Sequence, residues 1–155
     1  MTQINQLVAF TLDDHNFALD LSCVERIVRA VHVTHLPDAP ETVHGVIDVE
    51  GRIIPVVNTR KRLGLPEREI DLDDRFIIAK ENGLSLALVA DDVKPVLEMS
   101  AEWGSESGDT PPGRGYVQGV AKSDQGMVMI LKIERTLSSE DQELLSNAIG
   151  GMTEA

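Results

Sequence analysis

The sequence has little cysteine, few aromatic residues and no long apolar run. Its 155 residues include a single cysteine, Cys23, so no internal disulfide can form, and 3% aromatic residues, so the core must be aliphatic. No apolar run approaches the roughly 18 residues of a membrane helix, and the N-terminus lacks the basic and apolar regions of a secretion signal. The sequence therefore predicts a cytoplasmic protein without direct membrane insertion.

Positive charge is also scarce, because 14 Lys and Arg face 26 Asp and Glu, for a formal net charge of -12. Such a chain repels phosphate backbones, and the one basic run, Arg60-Lys61-Arg62, is too short to bind them. We expect no nucleic-acid partner. Hydrophobic residues make up 42% and charged residues 26%, which is typical of one globular domain or of two small lobes that share a core.

Short segments rich in Val, Ile and Leu, bounded by turn residues, predict a mostly β fold. Ten strands are expected: Gln6–Leu12, Asn16–Asp20, Val24–Ala30, Gly45–Val49, Arg52–Asn58, Arg75–Glu81, Leu84–Ala90, Val93–Met99, Tyr116–Lys122 and Gly126–Ile133. Asn82-Gly83 is the strongest hairpin signal, because a two-residue type I′ turn needs positive φ at both positions. Glu50-Gly51 and Asp124-Gln125-Gly126 predict two further hairpins.

The strands repeat within the chain. LVAF at Leu7 matches FIIA at Phe76 with an offset of 69 residues, and GVIDV at Gly45 maps onto Gly119 with an offset of 74. The pattern predicts two halves of about five short strands, enough to close a small barrel. The alternative is coincidence, because short alternating strands resemble one another by pattern alone.

Two segments lie outside the repeat. The composition of 101–115 is that of a surface loop rich in Gly, Ser, Pro and acid. From Ser138 onwards, a capping box of Ser139 with Gln142 predicts one amphipathic helix that Gly150 stops. Its apolar face consists of Leu144, Leu145, Ala148 and Ile149.

Catalytic, cofactor and metal sites are not indicated. Cys23 has apolar neighbours and is interpreted as a small core residue, and His32, His35 and His44 occupy a proline-containing loop without zinc-site spacing. The acids Asp71, Asp73, Asp74, Asp91 and Asp92 lack calcium-loop spacing and are interpreted as solvated turn acids. Without an activated group, an apolar groove between two lobes favours a protein-binding module.

The segment HGVIDVEGRIIPVVNTRKRLGL, from His44 to Leu65, resembles the signature hairpin of the CheW family of chemotaxis coupling proteins. VAFTLDDHNFALDLSCVERI and LALVADDVKPVLEM are similar to other parts of that family, and the likeness covers nearly the whole chain. It implies two intertwined five-stranded SH3-like barrels plus a C-terminal helix. The expected division is one domain over 1–150, with a first lobe at 15–83, a second at 84–137 with 1–14, and a helical tail at 138–155.

The resemblance implies a non-catalytic adaptor without cofactor that joins the cytoplasmic helical hairpin of chemoreceptors to the regulatory domain of a chemotaxis histidine kinase. Residues carried over to the receptor groove are Val24, Arg26, Ile27, Val89 and Val93; simple core positions are the alternative for the valines and the isoleucine. Those carried over to the kinase interface are Glu50, Gly51, Arg52 and Trp103. Trp103 is either an exposed anchor or folded back on its own lobe.

The sequence departs from the family at the hairpin turn, where Val49-Glu50-Gly51 has an acid in place of a typical arginine. The family often has an acid at the position of Arg26, so the likeness implies a swapped ion pair between Arg26 and Glu50. We expect this pair to be partly desolvated, with a loss of roughly 2–3 kcal/mol when one partner is changed.

Two alternatives stay open at this point. One is a module of the same family that is normally fused to a receiver or kinase. The other is a small-ligand or metal sensor in which His32, His35 and His44 are ligands in the groove between the lobes.

Overall fold

The computed structural model describes residues 4–81, 83–94, 97–100, 117–123, 126–133 and 136–153. Within these ranges the chain forms eleven strands and two α-helices. The strands are β1 Ile4–Leu12, β2 His15–Asp20, β3 Val24–Arg29, β4 Val43–Val49, β5 Arg52–Val57, β6 Arg75–Glu81, β7 Leu84–Ala90, β8 Asp92–Val93, β9 Leu97–Ser100, β10 Val117–Ser123 and β11 Gly126–Leu131. The helices are α1 Thr59–Leu63 and α2 Ser139–Thr153.

The strands form two sheets, and the predicted mostly β class is confirmed. The central sheet has five strands in the order β3-β6-β7-β5-β4. The terminal sheet, drawn from both ends of the chain, has six strands in the order β10-β11-β2-β1-β8, with β9 also paired to β1. Since β8 and β9 follow each other along β1, both sheets have five strand positions.

The single strand predicted over Val93–Met99 is wrong, because the chain forms two short strands there. Val93 pairs with Phe10, and Leu97 pairs with Leu7 on the same strand, β1. Residues 95 and 96 lie outside the described residues, but the sequence there contains a proline, which has no N–H to donate, so a break in the predicted strand is expected.

The internal repeat extends to the pairing register. In the central sheet Val56 pairs with Ala87 in parallel, and the residues offset by 74 and 69, Ile130 and Ala18, pair in parallel in the terminal sheet. The hairpins β4–β5 and β10–β11 both shift register, between Val43 and Gly45 and between Val117 and Gly119. The two halves of the repeat therefore have the same topology.

Among the described residues, three apolar clusters fill the space around the sheets: a larger cluster, a smaller cluster, and a third of only four residues, Leu7, Ala18, Val128 and Ile130, in the terminal sheet. The larger cluster contains Phe10 and Phe17, whose ring centroids lie 5.8 Å apart, together with Leu and Ile side chains from both sheets. The smaller cluster is formed by central-sheet side chains such as Ile54 and Phe76. The core is aliphatic apart from its phenylalanines, as the composition predicts.

The predicted hairpin turns are partly visible. Glu81 pairs with Leu84, and Gly83 has a φ of 82°, so the tight turn between β6 and β7 is confirmed, although Asn82 lies outside the described residues. Ser123 pairs with Gly126 across the third hairpin, whose tip at Asp124-Gln125 also lies outside them.

The segment after β3 pairs with β4, so backbone hydrogen bonds connect the two edges of the central sheet. Thr34 and Val46 exchange two backbone hydrogen bonds, each 2.9 Å long, so the chain after β3 runs beside β4. The crossing is close at Gly45, where a Cβ atom would lie 2.2 Å from the carbonyl oxygen of Thr34. Only glycine fits this position, because its φ of 154° is also rare for other residues.

Both helices differ from the sequence prediction, α1 in its existence and α2 at its two ends. The sequence did not predict α1, whose N-cap Asn58 accepts a hydrogen bond from the Lys61 N–H at 3.2 Å. In α2 the cap is Ser138, not Ser139: the Ser138 hydroxyl accepts from the Asp141 N–H at 3.0 Å. Gly150 does not stop α2, which continues to Thr153.

Only part of the predicted apolar face of α2 docks. Leu145 is 4% exposed in the larger cluster, and Ala148 and Ile149 pack against that cluster. Leu144 is 44% exposed.

Two strands, β2 and β7, form hydrogen bonds with strands from the other side of the predicted boundary between the lobes. β2, which begins at residue 15, pairs within the terminal sheet, and β7, which begins at residue 84, pairs within the central sheet. The lobe boundaries 15–83 and 84–137 with 1–14 remain a prediction. No helix among the described residues has the length and apolarity to cross a membrane.

Candidate functional site

Charged side chains connect β3 to the tip of the β4–β5 hairpin through two ion pairs. Arg26 donates from Nη1 and Nη2 to Glu50 Oε1, both at 3.3 Å, and Arg52 Nη2 donates to Glu25 Oε2 at 2.6 Å. The predicted contact between Arg26 and Glu50 is thus confirmed. Ile27 follows on the same strand and is 41% exposed. We call Glu25, Arg26, Ile27, Glu50 and Arg52 the edge patch.

The turn of the β4–β5 hairpin positions Glu50. Glu50 and Gly51 both lie in the left-handed region, with φ of 52° and 86°, as a two-residue type I′ turn requires. The Gly51 N–H donates to Asp48 Oδ1 at 2.8 Å and fixes the turn. The sequence predicted this hairpin, and the pairing of Val49 with Arg52 confirms it.

The expected desolvation of the first ion pair is wrong. The side chains of Arg26 and Glu50 are 45% and 73% exposed, because they sit on an edge strand and a hairpin tip. An exposed pair contributes about 0–1 kcal/mol. In the second pair, the hydrogen bond lowers the pKa of Glu25 and raises that of Arg52, so both groups stay charged.

The valines carried over to the receptor groove do not share one environment. Val24 and Val93 are partly buried against the larger cluster, at positions related by the offset of 69 residues. Val89 is 8% exposed and belongs to the smaller cluster, and its N–H donates to Thr59 Oγ1 at 3.0 Å. Because β7 lies between β5 and β6, Val89 occupies the core position that the sequence left open as its alternative.

Arg60 links the two sheets. Its Nη2 donates to both carboxylate oxygens of Asp91, at 2.8 and 2.7 Å, and its Nη1 donates to Asp13 Oδ1 at 2.9 Å. Asp91 follows a central strand, whereas Asp13 lies in the turn between β1 and β2 of the terminal sheet. The Arg60 side chain is 8% exposed, so this basic residue is structural. From the sequence, Arg60 was known only as part of a short basic run and of the hairpin segment that resembles the family signature.

Arg68 extends the same network. It donates to both oxygens of Asp74, at 2.9 and 2.7 Å, and to Asp91 Oδ1 at 2.7 Å. Asp74 is 2% exposed, so its interpretation as a solvated turn acid is wrong: the arginine makes its burial favourable. We call Arg60, Arg68 and their acidic partners Asp13, Asp74 and Asp91 the arginine joint.

Two effects oppose each other at Asp91. Burial acts to raise the pKa of its carboxyl, but hydrogen bonds from Arg60 and from the Asp13 N–H outweigh burial and lower that pKa. Asp91 is therefore held as a carboxylate with its side chain 22% exposed, which corrects its interpretation as a solvated turn acid.

A sparser polar cluster lies near the end of β11. Lys132 Nζ lies 3.8 Å from Glu81 Oε1, and the Cys23 thiol donates to Glu81 Oε2 at 3.6 Å. Burial, followed by the charge of Glu81, raises the pKa of Cys23, which keeps the thiol protonated. Cys23 was interpreted as a small core residue, and it is partly buried against the larger cluster. We call Lys132, Glu81 and Cys23 the lysine joint.

The histidines do not form a metal site. His32 and His35 are exposed and His44 is half-buried, and the described residues contain no group of three or more His, Cys, Asp or Glu that could hold a metal ion. Burial lowers the pKa of His44, with a smaller opposing effect from Glu67. An open pocket of about 500 Å³ is lined by polar and apolar side chains together, with His35 and His44 among them.

Trp103 lies outside the described residues, together with the loop around it. The structure thus brings Arg26, Glu50 and Arg52 into one patch and leaves Val89 in the core. The sequence interpretation missed the arginine joint. The sequence signal for the joint was the segment Asn58-Thr59-Arg60, in which polar residues directly follow the apolar strand β5.

A family model described as the CheW-like domain matches residues 6–141. The chain is similar to a chemotaxis protein CheW of Treponema pallidum, with 28% identity over 152 residues that cover 92% of this chain and 87% of the relative. It is also similar to a chemotaxis protein CheW of Rhizobium meliloti, with 26% identity over 140 residues that cover 89% and 90% of the two chains.

A solved structure has the same fold. The scaffolding protein TtCheW from Thermoanaerobacter tengcongensis matches with a TM-score of 0.76 and 30% identity, over 90% of this chain and 96% of that one. The match therefore extends across both sheets.

Proposed function

The chain belongs to the CheW-like domain family, and from this premise we propose that it is a non-catalytic adaptor in the cytoplasm. It couples the cytoplasmic helical hairpin of chemoreceptors to the regulatory domain of a chemotaxis histidine kinase within membrane-associated receptor arrays. The observation that carries the proposal is the family match over residues 6–141. The related TtCheW is described as a scaffolding protein, which agrees with an adaptor role.

The edge patch supports a protein-binding role. It combines an exposed apolar side chain, Ile27, with four charged groups held in two ion pairs. An apolar centre with a polar rim is the common anatomy of a protein interface. In this proposal Ile27 and Arg26 contact the receptor helix, together with Val24 on the same strand and Val93 on β8, which both pack against the larger cluster.

A binding experiment tests the proposal directly. The purified chain is mixed with a receptor hairpin and a kinase regulatory domain, and complexes are detected by size-exclusion chromatography with light scattering. We expect a complex of all three proteins, and we expect the chain to raise receptor control of kinase autophosphorylation. A chain that binds neither partner would contradict the adaptor function.

A single charge placed in the patch tests its role. Ile27→Asp removes the exposed apolar centre, and we expect receptor binding to weaken by about tenfold or more, because interface energy is concentrated in a few anchors. Leu144→Asp is the matched control, since Leu144 is 44% exposed and lies on α2. Equal binding by both variants, with unchanged circular dichroism, would exclude the patch as the receptor site.

A further inference from the structure

An adaptor that holds two partners together needs two surfaces that do not overlap. The residues carried over for the receptor and the kinase do overlap, because Arg26 contacts Glu50 directly at 3.3 Å. Arg52, also carried over for the kinase, contacts Glu25 beside Arg26 at 2.6 Å. The residues carried over for the two partners therefore meet in one patch, and a second surface elsewhere on the chain would let both partners bind at once.

The opposite end of the central sheet offers a separate surface. The turn Glu50-Gly51 lies at the end where Glu81 pairs with Leu84. The loop that precedes β6 lies at the other end, where Arg75 pairs with Ala90. This loop carries Leu72, which is 82% exposed and is the most exposed large hydrophobic residue of the described chain.

Leu72 occupies the tip of a rigid turn. The Asp74 N–H donates to the Asp71 carbonyl at 3.0 Å, and the Asp73 N–H donates to Asp71 Oδ1 at 3.0 Å. The Asp71 N–H donates to Asp74 Oδ2 at 2.8 Å. Single exposed leucines are ordinary on protein surfaces. This one differs because the backbone on both sides of it is fixed.

The base of the turn is anchored in the protein interior. Ile70 packs against the smaller cluster on one side. On the other side Asp74 is 2% exposed and binds Arg68 through both carboxylate oxygens. A residue that is presented in this way loses little conformational freedom on binding, which favours affinity.

The charges around Leu72 define the chemistry of its partner. Asp71 and Asp73, its two neighbours in sequence, are both exposed acids. A socket for this tip must be apolar at its centre and bordered by Lys or Arg. A second copy of the chain is a poor candidate, because each copy has a net charge of -12.

We propose that Leu72 and its flanking carboxylates, Asp71 and Asp73, dock into a basic-rimmed apolar socket on the regulatory domain of the histidine kinase. This inference rests on the proposed function, which supplies the two partners. The receptor occupies the edge patch, and the kinase occupies the opposite end of the same sheet. The central sheet thus separates the two partners along its strands.

Leu72→Ser tests the proposal in the full chain. We expect kinase-domain binding to weaken by about tenfold or more while receptor-hairpin binding stays unchanged. Leu144→Ser is the matched control, with the same change at another exposed leucine, and should bind both partners like the wild type. Because Leu72 contributes little to the core, thermal melting should not change in Leu72→Ser.

Asp73→Lys tests the charge. Raising salt from about 50 to about 300 mM should weaken kinase binding by the wild type, because exposed charges are screened. The Asp73→Lys variant should bind more weakly at low salt and lose part of this dependence.

The outcomes separate this inference from the function on which it rests. Wild-type binding to neither partner would overturn both. Binding of both partners by the wild type, with kinase affinity unchanged in Leu72→Ser, would overturn the docking site alone. Loss of receptor binding in Leu72→Ser, with kinase binding intact, would overturn the proposal, because Leu72 would then contact the receptor and not the kinase.

Discussion

The arginine joint and the lysine joint follow equivalent strands of the internal repeat but are built very differently. Arg60 makes hydrogen bonds of 2.7–3.1 Å to two carboxylates and a carbonyl, with its side chain 8% exposed. Lys132 approaches one carboxylate at 3.8 Å and is 27% exposed. The same backbone topology therefore does not require the same polar connections.

The difference matters because, of these two joints between the sheets, only the arginine joint holds a nearly buried cation. Asp13 belongs to a turn of the terminal sheet, and Asp91 to the end of a central strand. Their shared arginine fixes one end of each sheet relative to the other. We infer that the free energy of unfolding depends much more on the arginine joint than on the lysine joint.

Arg60→Met should produce the largest loss. It removes the nearly buried cation from the carboxylates of Asp13 and Asp91, and Asp91 then keeps only Arg68 and the Asp13 N–H among the partners described above. The loss of such a partly buried contact costs about 3 kcal/mol. Lys132→Met is the matched change in the other joint and should cost less than about 1 kcal/mol. Urea unfolding of both variants measures the difference, and equal losses would show that the joints contribute alike.

Asp91→Asn should have the next largest effect, at about 2 kcal/mol near neutral pH. The folded protein lowers the pKa of Asp91, so the stabilisation by its carboxylate is complete above the ordinary aspartate pKa of about 3.9 and disappears as pH falls through the lower folded value. The free energy of unfolding of the wild type should therefore approach that of Asp91→Asn as the pH falls.

Thermal or urea unfolding between about pH 7 and pH 2 follows this convergence. The matched control is Asp38→Asn, since Asp38 is exposed in the loop before β4 and its left-handed backbone also suits asparagine. A stability gap that stays constant down to the lowest pH would contradict the role of the Asp91 charge.

The ion pair between Arg26 and Glu50 is more exposed than the ion pairs of either joint, whereas Arg60 is nearly buried. A double-mutant cycle with Arg26→Glu and Glu50→Arg should give a coupling of about 0.2–1 kcal/mol that decreases with added salt. The double variant should recover the coupling because it restores opposite charges. A coupling above about 2 kcal/mol would mean that exposure does not control the strength of ion pairs in this molecule.

The smallest effect is expected at the lysine joint itself. The raised pKa of Cys23 should make its thiol react more slowly with a disulfide reagent at about pH 8 than an exposed cysteine peptide. Glu81→Gln removes a charge that raises this pKa and should increase the rate a few-fold. Lys132→Gln, which removes the opposite charge, should not increase it, and an increase there would point to opening of the joint instead.

The sequence predicted the strands well, because each is an aliphatic segment closed by a turn residue, as at Gly51 and Gly83. It also predicted that Arg26 meets Glu50, since family likeness supplied the alignment. It could not predict how exposed that pair is, because exposure depends on β3 being an edge strand. Asp74 was misinterpreted for a related reason: its burial depends on Arg68, and composition alone does not identify such partners.

The pairing of distant segments in the terminal sheet has a consequence for synthesis on the ribosome. The central sheet uses strands from residues 24–90, so it can form before the last third of the chain emerges. The terminal sheet must wait, because β2 pairs with β11, and Ala18 meets Ile130 only when nearly the whole chain has left the exit tunnel. The nascent protein can therefore complete its central sheet first, at a stage when β11, the final neighbour of the β1–β2 hairpin, has not yet emerged.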